Sequence, residues 1–209
     1  MKDKLKIDEK EIAKLEDFFY RFKKKECGAM DCVADIMGVL IGLKKVAFVG
    51  FNYNEMENVD CLELRDLLEK LGLECVFSHR HFLTMGKMVW VEDISISRDI
   101  QLAVKIRDAF TALWKTMDDY GKILDKKAWA KATREVGLLL GYPDTAILSF
   151  IKNGLEDRDG DDSLTIIGGK YKHFAHSKKY LEKEVEIYDV PLNSALKKYV
   201  PKTYKLLNG

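Results

Sequence analysis

The chain has 209 residues, enough to bury a core without disulfides or a structural metal, and its 35 Lys plus Arg against 34 Asp plus Glu leave a net charge of +1. That balance excludes the basic field of a dedicated duplex-DNA binder, while 47% hydrophobic and 11% aromatic residues exclude a disordered chain. The charged start Met1-Lys2-Asp3-Lys4 does not open a secretory signal and the longest apolar run, Ile36 to Leu43, is too short to cross a bilayer, so a cytoplasmic protein without a membrane partner is expected.

Asp8 to Lys25 reads as a helix because Ile12, Leu15, Phe18, Phe19 and Phe22 recur at three-to-four spacing, and Cys27-Gly28 breaks it. Ala29 to Leu43 follows as a helix that is nearly apolar beyond its first turn and is expected to be buried. Lys45 to Phe51 (KVAFVGF) is a short run of β-formers, the pattern of a buried strand. Val59 to Leu71 is the next helix, with Leu62, Leu64, Leu67, Leu68 and Leu71 as its stripe and Gly72 as its stop. Leu73 to Leu83 reads as a strand, and Thr84-Met85-Gly86-Lys87 turns it back into Met88 to Val91. Strand, helix, strand and hairpin in that order predict a parallel βαβ pair with a right-handed crossover and one antiparallel strand added.

From Ser97 the pattern is helical. Ile100, Val104, Phe110, Leu113, Trp114 and Met117 line one long helix ended by Gly121. Asp125 caps a second, which contains Trp129, Val136 and Leu140 and closes at Gly141. Pro143 opens a third, with Ile147, Phe150 and Ile151 inward and Gly154 past its end. Glu156 to Ser163 is a charged loop, and Leu164 to Ile167 is a short strand that can pair with Tyr171 to Phe174 across Gly168-Gly169. Ser177 caps a helix reaching Tyr188, and Pro191 opens a last short one. The expected fold class is α+β, a small mixed sheet packed by a majority of helices in a single domain. Residues 1–93 would carry helices and the mixed sheet, 94–154 a helical part, and 155–209 a loop, short strands and C-terminal helices.

The stretch Glu135 to Ile151, EVGLLLGYPDTAILSFI, resembles the signature of a prokaryotic family of similar length, of the type H-E-I-G-x-F-L-G-Y-P-x-x-D-V-x-G-F-I. Glu135, Gly137, Leu140, Gly141, Tyr142, Pro143, Phe150 and Ile151 match it, whereas Arg134, Ala146 and Ser149 depart from it. The resemblance implies no activity, and Gly141 followed by Pro143 is also the ordinary punctuation of a helix–helix corner.

In open α/β sheets ligands favour the crevice beyond the carboxyl ends of parallel strands. That edge would receive Asn52, Tyr53 and Asn54 from the first strand and Ser78, His79 and Arg80 from the second, a polar set suited to an anionic or amide-bearing ligand. No GxGxxG or GxxxxGK[ST] loop follows Gly50, so no nucleotide cofactor is expected. His79 and His81, two apart, face one side of a strand, and the Met85-Gly86 turn sets them opposite Glu92 and Trp90. With Glu92 or Cys75 as a third ligand this pair can hold a divalent metal such as zinc, although the spacing of a four-ligand structural site is absent.

The other chemistry-bearing residues are weaker. His173 and His176 stand three apart and share a face only if the following helix begins early. Asp157, Asp159, Asp161 and Asp162 open like a calcium loop but lack its glycine at position six and its glutamate at position twelve. Cys27, Cys32, Cys61 and Cys75 contain no CxxC pair and read as thiols, not a disulfide framework. From Lys170 to Gly209 nine lysines stand against four acids, with tyrosines interleaved; stacking on single-stranded nucleic acid competes there with plain amphipathic helices. The expected function is a module that binds a small polar or anionic ligand, or a protein partner, at the sheet edge and hairpin. A metal-dependent hydrolase using His79, His81 and Glu92 is one alternative, and nucleic-acid binding by the basic tail, disfavoured by the neutral chain charge, is another. Whether the chain is an enzyme stays open, and the apolar face of the first helix leaves room for a homo-oligomer.

Overall fold

A computed structural model of the chain describes residues 7–22, 29–52, 58–84, 87–118, 121–156, 164–165 and 176–208. Helix α1 (Glu9–Phe22) starts where Asp8 accepts hydrogen bonds from the backbone N–H groups of Lys10 at 3.0 Å and Glu11 at 3.2 Å. Its predicted stripe, from Ile12 to Phe22, is buried. Then come α2 (Ala29–Leu40), β1 (Val46–Asn52), α3 (Asn58–Lys70), β2 (Glu74–Thr84), β3 (Lys87–Ser97) and α4 (Ile100–Trp114). Helices α5 (Lys126–Leu140) and α6 (Asp144–Glu156) follow, then β4 (Leu164–Thr165), β5 (His176–Ser177), α7 (Leu181–Glu184), α8 (Val190–Tyr199) and α9 (Pro201–Asn208). The fold is α+β and mostly helical. Among the described residues no helix is long and apolar enough to cross a membrane.

The main sheet has the order β1-β3-β2, and both pairings are antiparallel. The expected parallel βαβ pair is therefore not formed. Strands β1 and β2 run the same way, but β3 lies between them. The hairpin partner is longer than the Met88 to Val91 segment expected: it runs to Ser97, pairs with β2 from Thr84 back to Glu74, and offers its other edge to β1 from Asn52 back to Val46. Val91 to Ser97 are all buried, as a central strand covered on both faces requires.

Helices α1, α2 and α3 cover one face of the sheet, with α8 and α9 packed against α2. Phe18, Phe19, Phe22, Phe51, Leu64, Leu68, Ile94 and Leu196 belong to this larger core. On the other face α4 crosses all three strands and α5 joins at β1, forming a smaller core around Val46, Ile106, Val136 and Leu139. Asp125 caps α5 as expected, accepting from the Ala128 N–H at 2.9 Å, and Gly141 ends it in the left-handed region at φ 80°.

Several local expectations are corrected. Leu62 is 65% exposed, because it sits about 200° around the helix from Leu64; Cys61, three residues before Leu64, takes the inward position. Phe150 is 52% exposed at the edge of the stripe that Ile147 anchors. Helix α4 ends at Trp114, and Met117 instead forms a β-bridge with Ile123. Strand β4 pairs with His176–Ser177, and the partner expected for it, Tyr171 to Phe174, lies outside the described residues. Ser177 makes no side-chain cap; its backbone N–H donates to Glu184 Oε2 at 2.9 Å.

Gly154 lies inside α6, not past its end, and a Cβ there would stand 2.4 Å from Cη2 of Trp129. The indole is buried and cannot swing away, so Gly154→Ala is expected to destabilise. Overpacking of about 1–3 kcal/mol outweighs the roughly 1 kcal/mol that alanine gains over glycine in a helix. A thermal melt checks the sign, and a raised melting temperature would contradict this packing.

Candidate functional site

The register divides the predicted ligand residues between the two faces of the sheet. One row across the strands is Phe51, Glu92 and His79; the next is Gly50, Asp93 and Ser78; a third sets Asn52, Val91 and Arg80 abreast. Side chains alternate, so His79, His81, Glu92 and Trp90 face the α3 side while Ser78, Arg80 and Asp93 face α4. The side chain of Asn52, and Tyr53 and Asn54 entirely, lie outside what is described.

Under α4, Arg80 donates from Nε to Asp93 Oδ2 at 2.7 Å, and its guanidinium carbon stands 4.7 Å from the centre of the Trp114 ring. Asp93 is fully buried. Burial pushes its carboxyl up, with Arg80 pulling the other way. Among the described residues the Ser78 hydroxyl makes a long contact, 3.5 Å from Oγ to the Asp93 carbonyl. Arg80 is thus the counter-charge of a buried carboxylate, a structural engagement that sequence reasoning had placed in a ligand crevice.

On the α3 side, Nδ1 of His79 contacts Oε2 of Glu92 at 2.6 Å, with the imidazole side chain 62% exposed and the carboxylate side chain 7% exposed. Burial raises the Glu92 carboxyl above its ordinary range, and His79 opposes that shift. Helix α3 brings Cys61, Leu62 and Arg65 to the same place. Together with Phe77 they enclose a hollow of about 290 Å³ that His79 and Glu92 also line. Arg65 lies over the Phe77 ring, its guanidinium carbon 5.1 Å from the centroid. Burial, then Glu92 and Asp60, push the Cys61 thiol up, and Arg65 opposes them. Cys61 and Arg65 were not anticipated as site residues, because nothing in a lone helix says which turn will meet the hairpin. The one available signal is that Cys61 continues the Leu64–Leu68 stripe by one turn.

The remaining candidates separate. His81 faces Trp90, with ring centres 5.0 Å apart, and Cys75 is raised by burial while Arg65 opposes. Among the described residues no three His, Cys, Asp or Glu side chains are placed to hold a metal ion together. The acidic loop from Asp157, His173 and the side chain of His176 lie outside the described residues. Tyr188, Tyr199 and Tyr204 pack against the larger core, and Lys197, Lys198, Lys202 and Lys205 are exposed, the arrangement of ordinary amphipathic helices.

The Gly141-Tyr142-Pro143 corner has a structural partner. Lys44 is buried, forms an ion pair with Asp35, and places its Nζ 5.7 Å from the centre of the Tyr142 ring. A Cβ at Gly141 would lie 3.0 Å from the Leu43 carbonyl, so the corner docks directly on this segment. One turn before Asp35 on α2, Asp31 is raised to about 7, by burial first and Asp35 second, and its Oδ1 is buried with no hydrogen-bond partner among the described residues. A carboxyl with a raised folded pKa binds its proton more tightly in the native state. Its share of stability is therefore present below the unfolded value of 3.8 and lost as pH rises through about 7. Asp31→Asn is expected to stabilise by about 1–2 kcal/mol at pH 8, after allowance for solvent screening, and by nearly nothing at pH 4. Urea unfolding at the two pH values measures the difference, and equal effects at both would refute it.

No family model matches the chain, and neither does any curated protein or solved structure.

Proposed function

We propose that the protein binds a small anionic molecule in the hollow between α3 and the hairpin. Arg65 supplies the fixed positive charge, and His79, oriented by Glu92, supplies a second polar contact. The observation that carries this reading is the 2.6 Å contact between His79 and buried Glu92 in the wall of a concavity that Arg65 also lines. A buried carboxylate gripping a solvent-exposed imidazole fixes the ring at the water boundary, where an incoming ligand meets it already oriented. The guanidinium stays charged at any working pH. The Cys61 thiol, pushed up by burial and by Glu92, is kept protonated near neutral pH, so the set favours reversible binding over covalent chemistry.

Thermal melts of the full chain with inorganic phosphate and with succinate as probes test the reading. At least one probe is expected to raise the melting temperature. Arg65→Gln should weaken binding roughly tenfold or more, the value of a charge-assisted hydrogen bond, with a smaller loss in His79→Asn and none in the remote Lys122→Gln. If neither probe shifts the melt, or the shift survives both substitutions in the hollow, the assignment fails.

A further inference from the structure

A second concavity, of about 280 Å³, lies among α4, α5 and α6. Phe110 and Leu113 of α4, Val136 and Leu140 of α5, and Ile147 and Phe150 of α6 form its walls, and none of the described side chains lining it is charged. Two polar groups interrupt this lining, Thr133 and Tyr142. Burial pushes the Tyr142 phenol up, so it remains neutral. Thr133 is 8% exposed, and its Oγ1 is buried without a hydrogen-bond partner among the described residues.

That orphaned hydroxyl is unusual for a helix. A threonine or serine there commonly returns its proton to a carbonyl one turn back, as Thr111 does to Arg107 and Ser149 to Thr145, both at 3.0 Å. Thr133 forgoes that bond while lining a cavity. Buried hydroxyls are nearly always paired, so a partner from outside the chain accounts for both features at once.

We propose that this concavity is a binding site for a small, uncharged, mostly apolar molecule about the size of a fused bicyclic ring, whose single hydrogen-bonding group pairs with the Thr133 hydroxyl. An apolar cavity of about 150 Å³ already holds a benzene ring, so the volume here fits a second fused ring. The ligand is uncharged because no charged side chain lines the walls, and a lone buried charge would be heavily penalised. Phe150 is 52% exposed at the rim and is backed by Trp129, with ring centres 6.1 Å apart, so a bound ring system would extend an aromatic surface already half built. The site shares no residue with the hollow at the hairpin, and either can fail without the other.

Titration of the full chain with 2-naphthol and with naphthalene, read by calorimetry and thermal melts, tests the proposal. Both probes are expected to bind, 2-naphthol more tightly. Thr133→Val should weaken 2-naphthol about three- to tenfold, the range of one neutral hydrogen bond, and leave naphthalene unchanged. Ala146→Leu, growing into the cavity from a position 2% exposed, should remove both. The proposal is overturned if neither probe binds, if Thr133→Val weakens the two alike, or if a folded Ala146→Leu protein still binds. Should Ala146→Leu not fold, the Thr133→Val comparison decides alone. A dimer that Phe150→Ser dissociates, in a chain blind to both probes, would mean that a second copy covers the rim, and would overturn it too.

Discussion

Lys44→Ala is expected to lower the free energy of unfolding by about 3–5 kcal/mol, the loss typical when one member of a buried ion pair is removed. Lys44 is only 5% exposed, and its ammonium is engaged by Asp35 and Tyr142. Burial works to lower its pKa, yet Asp35 and Tyr142 leave it above the ordinary lysine value, so the charge is retained inside the fold. The stem matters as well. A Cβ at Gly38 would stand 3.1 Å from Cγ and Cδ of Lys44, so the chain of methylenes fills the gap between α2 and the Gly141–Tyr142 corner. Lys44→Met keeps that volume and loses only the charge, and should therefore cost less than alanine. Adding Asp35→Leu to Lys44→Met should recover most of the loss, because the carboxylate left without its counter-charge is then gone. Equilibrium urea unfolding of the three variants provides the measurement. A cost below about 1 kcal/mol for Lys44→Ala would show that this pair does not hold the two layers together.

The legible parts of the fold were those governed by local rules. Helix α1 declared itself through five apolar residues at helical spacing, and Asp125 and Gly141 bounded α5 by capping chemistry that needs no tertiary information. The hairpin register was equally local. Placing Met85-Gly86 at the turn sets His81 against Trp90 and His79 against Glu92, which is the pairing found. Strand order was not legible. Past Val91 the chain reads Glu92, Asp93, Ser95 and Ser97 among Ile94 and Ile96, a mixture that looks like a strand running out into solvent. Three of those four polar groups are instead met inside the protein: Glu92 by His79, Asp93 by Arg80, and Ser97 by the Lys45 carbonyl at 3.0 Å. Partners of that kind are long-range, and periodicity cannot announce them.

The same limit applies to the candidate site. His79 and Glu92 were expected together because a hairpin brings neighbours across a turn, and they are together. Arg80 sits beside His79 in the chain, yet alternation puts it on the opposite face, where its charge serves Asp93. Cys61 and Arg65 come from a helix whose docking depends on how Leu64 and Leu68 meet the sheet, a fact fixed by packing and not by any motif.

Arg80 therefore makes the second large prediction, and it separates a structural role from a ligand-binding one. Asp93 is 0% exposed, its Oδ2 receives the Arg80 Nε at 2.7 Å, and its Oδ1 has no hydrogen-bond partner among the described residues. Removing the guanidinium leaves a carboxylate inside the sheet with no counter-charge, and Arg80→Met is expected to cost about 3 kcal/mol at pH 8, the low end for such pairs because the arginine side chain is 32% exposed. The pH dependence carries the diagnosis. Burial already raises the Asp93 carboxyl and Arg80 opposes it, so in Arg80→Met the carboxyl rises further. A raised carboxyl loses stability progressively as pH climbs from its unfolded pKa to its folded one, because the unfolded chain ionises first. The full loss is in place above the folded pKa, and below the unfolded one the group is neutral in both states and needs no partner. The deficit of Arg80→Met relative to the parent chain should thus shrink as pH falls from 8 to 5, and the same substitution made in an Asp93→Asn background should show a deficit that hardly varies across that range. Binding in the α3 hollow should be unaffected in the folded fraction of Arg80→Met, since Arg80 faces α4. A deficit that grows toward acid pH would mean that Asp93 is not the group left exposed to the loss, and a selective loss of anion binding without loss of stability would return Arg80 to the ligand site.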